Sequence, residues 1–482
     1  ARVMEQAGAV REPFIRGDET RESGATLLVA TVRGDVHDIG KNIVSVVLAC
    51  NGYRVVDLGV MTPPERIVEA ARVERPAAVI LSGLITPSLE EMRVVVEQFE
   101  RAGLRIPICV GGATTSELHT AVRLAPAYGG LVAHSTDASS CARLVNGILK
   151  EPGFRQHYRD RQEAVRLKYT ELQAARTLRP LAEARERRLR PVFDDRTVVR
   201  PRQLGRWVLA DYPLERLAER IDWSYFFVQW DLAGRYPEIF DHPTRGAEAR
   251  RLFDDAQALL RRLIASGEVR ADGVVGIVPA RGEGEDIWLE GCVHGDGTAC
   301  GCGAGERRLA FLRSQDPEAE HNPCLSDFVS PGPAQGLPQD HVALFAVGVT
   351  CDFRGASDYE HILARILCDR LAEALAGEVA ERLRDEWWGF PVGADGLRVA
   401  PGYPVAPDHA PKRLIFDLLE VETSVPLRLT ENCMIQPAAA VAGLVLAHPE
   451  ARYFRVGVVD DEQLADYARR SGQPVEQLRR TM

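Results

Sequence analysis

Apolar runs alternate with amphipathic segments along the first third of the chain. The apolar runs predict buried strands at Thr26–Val32, Arg54–Leu58, Ala77–Leu81, Ile106–Val110 and Leu131–His134. The amphipathic segments predict helices that begin near Gly40, Pro64, Ser88, Thr115 and Ala138. Buried strands that alternate with helices form a parallel sheet with helices on both faces. Residues 23–150 therefore predict an α/β domain with a flavodoxin-like, doubly wound parallel sheet.

The pattern changes in the second half of the chain. Long helices are predicted at Gly246–Ser266 and Tyr359–Trp388, and strands at Val274–Pro279, Ile287–Leu289, Val342–Val349 and Tyr453–Val459. Because these elements do not alternate regularly, residues 196–482 predict an α+β domain. The Arg- and Glu-rich residues 151–195 predict a solvated helical linker between the two domains. Residues 1–22 predict the remnant of a helical cap.

The charge balance limits the classes of partner. The chain carries 59 Lys and Arg against 69 Asp and Glu, for a formal net charge of -10. This acidic balance argues against nucleic acid or an anionic membrane as the main partner. No apolar run reaches transmembrane length, and no stretch resembles a signal peptide.

The cysteines favour a reducing compartment. The 10 cysteines do not follow the spacing of a disulfide framework, which predicts a cytoplasmic protein. Cys292, Cys300 and Cys302 lie near His294, so a zinc or redox site is an alternative there. The Cys-x-Cys step lacks the paired Cys-x-x-Cys spacing of a structural zinc site, and we do not predict one.

A polar loop follows the first predicted strand. It contains Asp35 and His37 within the segment from Gly34 to Asn42. Open α/β sheets bind ligands at this carboxyl edge, and a carboxylate can accept the second ring N–H of a metal-bound imidazole. The alternative is an ordinary loop histidine.

Small residues follow the next strands at the same edge. Ser82-Gly83-Leu84 ends the third predicted strand, and Gly111-Gly112 ends the fourth. Together they predict room for a long ligand group beside the sheet, although glycines and serines also form plain turns.

A second motif lies between Arg398 and Pro404, followed by Pro407-Asp408-His409. Prolines on both sides of Gly402-Tyr403 make a stiff turn whose backbone groups can serve a ligand. Arg398 is suited to two-pronged pairing with a carboxylate. A purely structural turn is the alternative.

These motifs resemble those of cobalamin-dependent methionine synthases. Gly34 to Asn42, Leu81 to Ser88 and Gly111 to Ser116 resemble the cobalamin domain of that family. Asp222-Trp223, Trp387-Trp388-Gly389 and Arg398 to Pro404 resemble its C-terminal reactivation domain, which binds S-adenosylmethionine. The resemblance covers nearly the whole chain.

The resemblance implies roles for individual residues in the first domain. His37 would be the metal ligand, below the cobalt, and Asp35 and Ser88 would form a hydrogen-bonded catalytic relay behind it. The implied cobalamin contacts are Gly34, Asp35, Val36, His37, Asp38, Gly40, Ser82, Gly83, Thr86, Ser88, Gly111, Gly112 and Ala138.

The implied S-adenosylmethionine site lies in the second domain. Its residues would be Asp222, Arg398, Tyr403, Tyr453 and Phe454, with Glu373 as a further candidate. An Asp near the amino group and an Arg near the carboxylate would fit the zwitterionic end of that ligand.

The family also implies an activity and partners. The enzyme is a methyltransferase that passes a methyl group from methyltetrahydrofolate to homocysteine through methylcobalamin, and S-adenosylmethionine reactivates oxidised cobalamin by reductive methylation. The implied partners are a flavodoxin-like reductant and the homocysteine and folate modules of the same enzyme, with zinc only in the homocysteine module. We expect a monomeric, cytoplasmic C-terminal portion that lacks those modules. A corrinoid isomerase subunit and a corrinoid carrier or sensor remain as alternatives.

Overall fold

The structure is a computed structural model, and it describes residues 24–174, 178–230, 232, 234–290, 306–353 and 357–481. By its contacts, Ala1–Arg176 with Arg354–Leu363 forms one compact unit, and Thr177–Phe353 with Ala364–Met482 forms a second. In the described ranges, no helix is long and apolar enough to cross a membrane. The predicted cap remnant 1–22 lies outside the described residues, as do Cys292, His294, Cys300 and Cys302.

Strands and helices alternate in the first unit. The strands are β1 (Thr26–Thr31), β2 (Arg54–Asp57), β3 (Ala78–Ser82), β4 (Ile108–Gly111) and β5 (Val132–Ser135). The helices are α1 (Ile39–Cys50), α2 (Pro64–Glu74), α3 (Thr86–Arg101), α4 (Ala138–Lys150) and α5 (Phe154–Ala174). The strands pair in parallel in the order β2-β1-β3-β4-β5. This is the flavodoxin-like order, and the predicted fold class is confirmed.

The interior strand β1 contributes to two cores. Leu28 and Ala30 belong to one buried cluster, whereas Leu27 and Val29 belong to another. All four side chains are fully buried. Since neighbouring side chains of a strand point to opposite faces, the continuous apolar run is explained by helices that cover both faces of the sheet.

The connection between β4 and β5 is irregular. The helix predicted near Thr115 begins at Glu117, where Ser116 Oγ accepts a hydrogen bond from the N–H of His119 at 3.1 Å. Its α-helical part ends at His119 and is followed by a π-helical turn, Thr120–Leu124.

Helix α5 is anchored on the edge strand of the sheet. Tyr158 and Gln162 of this helix are buried. The N–H of His134 donates to the Tyr158 hydroxyl at 3.0 Å, and Gln162 Nε2 donates to the carbonyl of Val132 at 2.9 Å. These bonds cover the outer edge of β5, which would otherwise expose unpaired backbone groups.

The second unit is an α+β structure, as predicted. Its helices are α6 (Leu181–Glu186), α7 (Leu214–Ala218), α8 (Trp223–Val228), α9 (Gly246–Ser266), all of α10 (Asp358–Arg382) from Ala364 onward, α11 (Pro411–Leu418), α12 (Val421–Ser424), α13 (Asp461–Ser471) and α14 (Val475–Thr481). Its strands are β6 (Gly205–Leu209), β7 (Val269–Glu283), β8 (Asp286–Leu289), β9 (Arg307–Ala310), β10 (Asp340–Cys351), β11 (Leu397–Val399), β12 (Arg428–Leu429), β13 (Ile435–Gln436) and β14 (Ala440–Leu446). A 7-stranded sheet runs in the order β11-β14-β10-β7-β8-β9, with β6 also paired to β7. All its pairings are antiparallel.

The long strands β7 and β10 form the centre of this sheet. Their apolar side chains pack with Ile415 and Phe416 of α11 in one buried cluster. This buried cluster anchors α11 on the sheet, and α11 in turn fixes the end of the loop that precedes it.

Two details of the predicted second half are wrong. The segment Tyr453–Val459 is not a strand, because Gly457 adopts a φ of 75° and the N–H of Val456 donates to the carbonyl of Pro404 at 3.0 Å. The helix predicted to reach Trp388 ends its α-helical part at Arg382 and continues as a π-helical turn, Leu383–Trp387.

Candidate functional site

The buried carboxylate of Asp35 organises the loop after β1. Oδ1 accepts hydrogen bonds from Nδ1 of His37 at 2.7 Å and from the N–H of His37 at 3.0 Å. Oδ2 accepts from Ser88 Oγ at 2.6 Å and from the N–H of Leu84 at 2.7 Å. The predicted relay residues Asp35, His37 and Ser88 therefore lie together, and the carboxylate is satisfied on both oxygens.

The environment of Asp35 keeps it ionised. Burial raises the pKa of this carboxyl, but the hydrogen bond and charge of His37 and the hydroxyl of Ser88 hold the pKa below its ordinary value. An ionised carboxylate can only accept, so Nδ1 of His37 carries the proton. A ring with its proton on Nδ1 can present the lone pair of Nε2, which makes no hydrogen bond within the described residues.

This arrangement is that of a metal-binding imidazole with a carboxylate behind it. The His37 side chain is 25% exposed, so its ring remains accessible. In the described ranges, no three His, Cys, Asp or Glu side chains gather into a metal site. A single imidazole donor fits a metal that brings its other ligands with it, as in a metal macrocycle.

Apolar side chains lie exposed around the same loop. Met61 and Leu84 are 37% and 41% exposed. Their backbone N–H groups donate to Asp35, Met61 to the carbonyl at 3.1 Å and Leu84 to the carboxylate. At Gly40, in the first turn of α1, an added Cβ would meet nothing within 4 Å. An open, partly apolar surface with one nitrogen donor fits a flat corrinoid ring.

Gly83 allows Ser88 to reach Asp35. A Cβ on Gly83 would lie 2.4 Å from the Cβ of Ser88, closer than real side chains approach. Any larger residue would push the α3 turn away from the carboxylate. The glycine of the Ser82-Gly83 motif thus has a packing role, and its contact with cobalamin stays a prediction.

Gly111 and Gly112 also fit close neighbours. The carbonyl of Gly111 accepts from the N–H of Gly83 at 3.1 Å. A Cβ on Gly112, whose φ is 131°, would lie 1.8 Å from the carbonyl oxygen of Gly83. Backbone contact between the ends of β3 and β4 accounts for Gly112 without a ligand.

The other predicted cobalamin residues lie at the same edge of the sheet. Gly34 has a φ of 76° and turns the chain toward Asp35. Val36 is buried, Asp38 precedes α1, Ser82 ends β3 and Ala138 begins α4. Thr86 begins α3, but its side chain lies outside the described part of the structure.

Lys41 was not predicted as a structural anchor. Its ammonium group is buried, pairs with Asp57 of β2 and donates to Asn42 Oδ1 at 2.7 Å. A lysine in the first turn of an otherwise apolar helix could have signalled such a buried ammonium group.

The second unit contains a cavity of about 620 Å³ beside β11. It brings together five of the residues predicted for S-adenosylmethionine: Asp222, Glu373, Arg398, Tyr403 and Tyr453. They come from segments far apart in the chain, so the fold rather than the sequence order creates the site.

Opposite charges are paired at the wall of this cavity. Arg398 Nη2 lies 3.1 Å from Glu373 Oε2. Asp222 Oδ1 accepts from the N–H of Ser224 at 2.9 Å and thereby caps α8. A lining with both charge signs suits a zwitterionic ligand.

Phe454 lies elsewhere. It packs against the core of the second unit, next to residues of two buried clusters. Tyr453, which precedes Phe454 and was predicted for the same site, lines the cavity and is 51% exposed.

The remaining lining was missed in the sequence analysis. Several of these residues share one face of α10, since Arg370, Glu373, Gly377 and Glu381 are three or four positions apart. Helical periodicity counted from Glu373 could have found them. The missed lining residues are Arg220, Tyr225, Arg370, Ala374, Gly377, Glu381, Ala400 and Val441.

Comparison with known families matches each of the two units to a domain family. The family model "Vitamin B12 dependent methionine synthase, activation domain" matches residues 213–472. The model of the B12 binding domain matches residues 25–135. The predicted pairing of a cobalamin-binding domain with a methionine synthase reactivation domain is confirmed.

One solved structure supports the match of the second unit. The MetH reactivation domain bound to AdoHcy is 32% identical, with a TM-score of 0.56 over 64% of this chain and 98% of that chain. A cobalamin-binding protein from Desulfitobacterium hafniense DCB-2 is 29% identical, over 30% of this chain and 67% of its own, with a TM-score of 0.27. The methanol:cobalamin methyltransferase complex of Methanosarcina barkeri is 26% identical, over 32% and 57%, with a TM-score of 0.28. The last two scores are below 0.5 and carry no argument.

The tautomer of His37 tests the role of Asp35. We expect nitrogen NMR at a pH where the ring is neutral to show a single Nδ1–H tautomer, assigned by its loss in His37→Gln. Asp35→Asn should lose this single tautomer, because an amide cannot accept on both sides. Asp137→Asn, which alters the cap of α4 instead, should leave it unchanged. A wild-type ring protonated on Nε2 would contradict the assignment.

Proposed function

Since the chain belongs to the family of vitamin B12-dependent methionine synthase activation domains and also carries a B12-binding domain, we propose that it binds and reactivates a corrinoid. His37 would hold the cobalt in the first unit, and the cavity of the second unit would hold S-adenosylmethionine as the methyl donor. The observation that carries the proposal is the accessible Nε2 of His37, fixed by Asp35 and Ser88.

The residues of the first unit would bind and orient the corrinoid. When bound, the group supplies a cobalt centre that can accept a methyl group and pass it on. Asp35 would fix the ring of His37 and hold its Nδ1 proton, while Ser88 stabilises the carboxylate. A proton taken up by the Asp35–His37 pair would weaken the donor at Nε2. Charge at Asp35 would thus tune the strength of the cobalt ligand.

The residues of the second unit would hold the zwitterionic end of S-adenosylmethionine. Arg398 would pair with its carboxylate, while Asp222 or Glu373 would accept from its amino group. The exposed rings of Tyr403 and Tyr453 could pack on the rest of the ligand. The AdoHcy bound to the related MetH reactivation domain supports this choice of ligand.

In its cellular setting, the chain would serve methionine synthesis. Methylcobalamin would carry the methyl group between methyltetrahydrofolate and homocysteine, and the homocysteine and folate modules of the enzyme would be its partners. A flavodoxin-like protein would supply the electron for reactivation. We propose a monomer that acts in the cytoplasm, with zinc confined to the homocysteine module. The second candidate is a free-standing corrinoid carrier, which the B12-binding domain would also serve.

Electron paramagnetic resonance would identify the cobalt ligand. Cob(II)alamin bound to protein labelled with ¹⁵N-histidine should show a two-line nitrogen splitting, because the ligand would be His37. His37→Gly should abolish the two-line pattern. His134→Gln, which alters a half-buried histidine bonded to Thr115 instead, should retain it. A three-line pattern in the wild type would show that the cofactor's own ¹⁴N base remains bound, contrary to the proposal.

Calorimetry with S-adenosylmethionine would separate the two candidate functions. The wild type should bind, and Arg398→Gln should weaken binding by about tenfold or more, since a hydrogen bond to a charged group contributes about 1.5–3 kcal/mol. Arg384→Gln, which removes an exposed arginine paired with Asp385, should bind as the wild type does. Absence of binding in the wild type would favour the corrinoid carrier.

A further inference from the structure

A buried polar cluster lies behind the cavity loop that contains Gly402 and Tyr403. It comprises Asp408, His409 and Lys412, which are 5%, 7% and 6% exposed. Two of these residues belong to the Pro407-Asp408-His409 motif, for which the proposed function provides no role. None of the three lines the cavity, so they could act on a ligand only through the loop.

His409 packs directly against Gly402. A Cβ on Gly402 would lie 2.1 Å from Cε1 of the His409 ring, and the φ of Gly402 is 102°. The loop is closed by hydrogen bonds from the N–H of Gly402 to the carbonyl of Ala406 at 2.7 Å and from the N–H of Ala406 to the carbonyl of Tyr403 at 2.8 Å. The imidazole thus packs against the turn that places Tyr403 at the cavity.

Lys412 fixes the orientation of that ring. Its Nζ lies 2.8 Å from Nδ1 of His409. Burial lowers the pKa of Lys412 to about 8, so the ammonium form still predominates at neutral pH. An ammonium group has no lone pair, and Nδ1 must therefore accept. Lys412 lies on α11, which the core of the second unit holds in place.

Asp408 anchors the other end of the motif. Its Oδ2 accepts from the hydroxyl of Tyr467 at 2.8 Å and from Nε2 of Gln473 at 2.6 Å, and Oδ1 accepts from the N–H of Ala410 at 2.9 Å. The backbone on both sides of His409 is therefore constrained.

We propose that His409, held by Lys412, is a positioning residue that keeps Gly402 and Tyr403 in the conformation that receives S-adenosylmethionine. This inference rests on the proposed function of the cavity. It adds residues that do not touch the ligand and that act on its affinity through the turn.

The test compares affinity and stability in the full chain, with S-adenosylhomocysteine as the probe. His409→Ala should weaken binding by about tenfold, which corresponds to about 1.4 kcal/mol. His409→Asn should weaken binding less than His409→Ala, because Oδ1 of the asparagine can replace Nδ1 as the acceptor for Lys412. Some loss of affinity should remain, because the ring contact with Gly402 is lost. His448→Ala is the matched control, since this histidine is equally buried in the same unit but bonds to Val192 and Glu450. It should retain wild-type affinity.

Lys412→Met gives a readout that a merely structural role would not produce. Removal of the ammonium leaves Nδ1 of His409 without its donor, whereas α11 keeps its apolar packing on the sheet. The affinity should therefore fall in a variant whose melting temperature shows that the chain remains folded. This variant and His409→Asn also carry the test if His409→Ala does not fold. If the wild type binds and these variants bind equally well, the inference alone is overturned. If the wild type does not bind, the proposed function of the cavity fails, and the inference fails with it.

Discussion

The first unit depends on one buried carboxylate. Asp35 lies after β1, and its partners Leu84 and Ser88 lie after β3. Parallel pairing of these strands, with Thr31 opposite Ser82, places both connections at the same edge of the sheet. A buried carboxylate without partners would cost several kcal/mol, so the loop, the α3 turn and the His37 ring are stable only in the arrangement that satisfies it. The accessible Nε2 of His37 is a consequence of that constraint.

In the second unit, residues from distant segments of the chain come together to form a charged cavity. The antiparallel sheet brings β11 and β14 together, and the loop after β11 carries Tyr403 to the cavity wall. Helix α10 supplies Glu373, whose carboxylate meets Arg398 at the edge of the sheet. Asp408, His409 and Lys412 lie buried behind this loop and do not line the cavity. His409 contacts Lys412 and Gly402 instead. In both units, hydrogen bonds or packing from neighbouring elements position the residues that we propose as ligand contacts.

The sequence identified the chemistry better than the packing. The meeting of Asp35, His37 and Ser88 was expected from the family resemblance of the loops after the first and third strands, and the structure brings the three side chains together, while their roles stay predictions. The packing role of Gly83 could not be predicted, since the need for a small residue arises from the approach of Ser88, which only the folded α3 turn reveals. Arg220 and Arg370 were missed because a cavity assembled from separate segments leaves no local signal. The segment Tyr453–Val459 was mistaken for a strand because its alternating apolar residues pack into the core without a ladder, and Gly457 breaks the extended backbone.

The central claim is that one chain holds a corrinoid on His37 and methylates it from S-adenosylmethionine. The most direct measurement is transfer of a labelled methyl group from S-adenosylmethionine to protein-bound cob(II)alamin in the presence of a strong chemical reductant, followed by absorbance and by the label. The account predicts about one methyl group transferred per bound corrinoid in the wild type, and loss of transfer in Arg398→Gln. If both ligands bind and no label reaches the corrinoid, the account is contradicted.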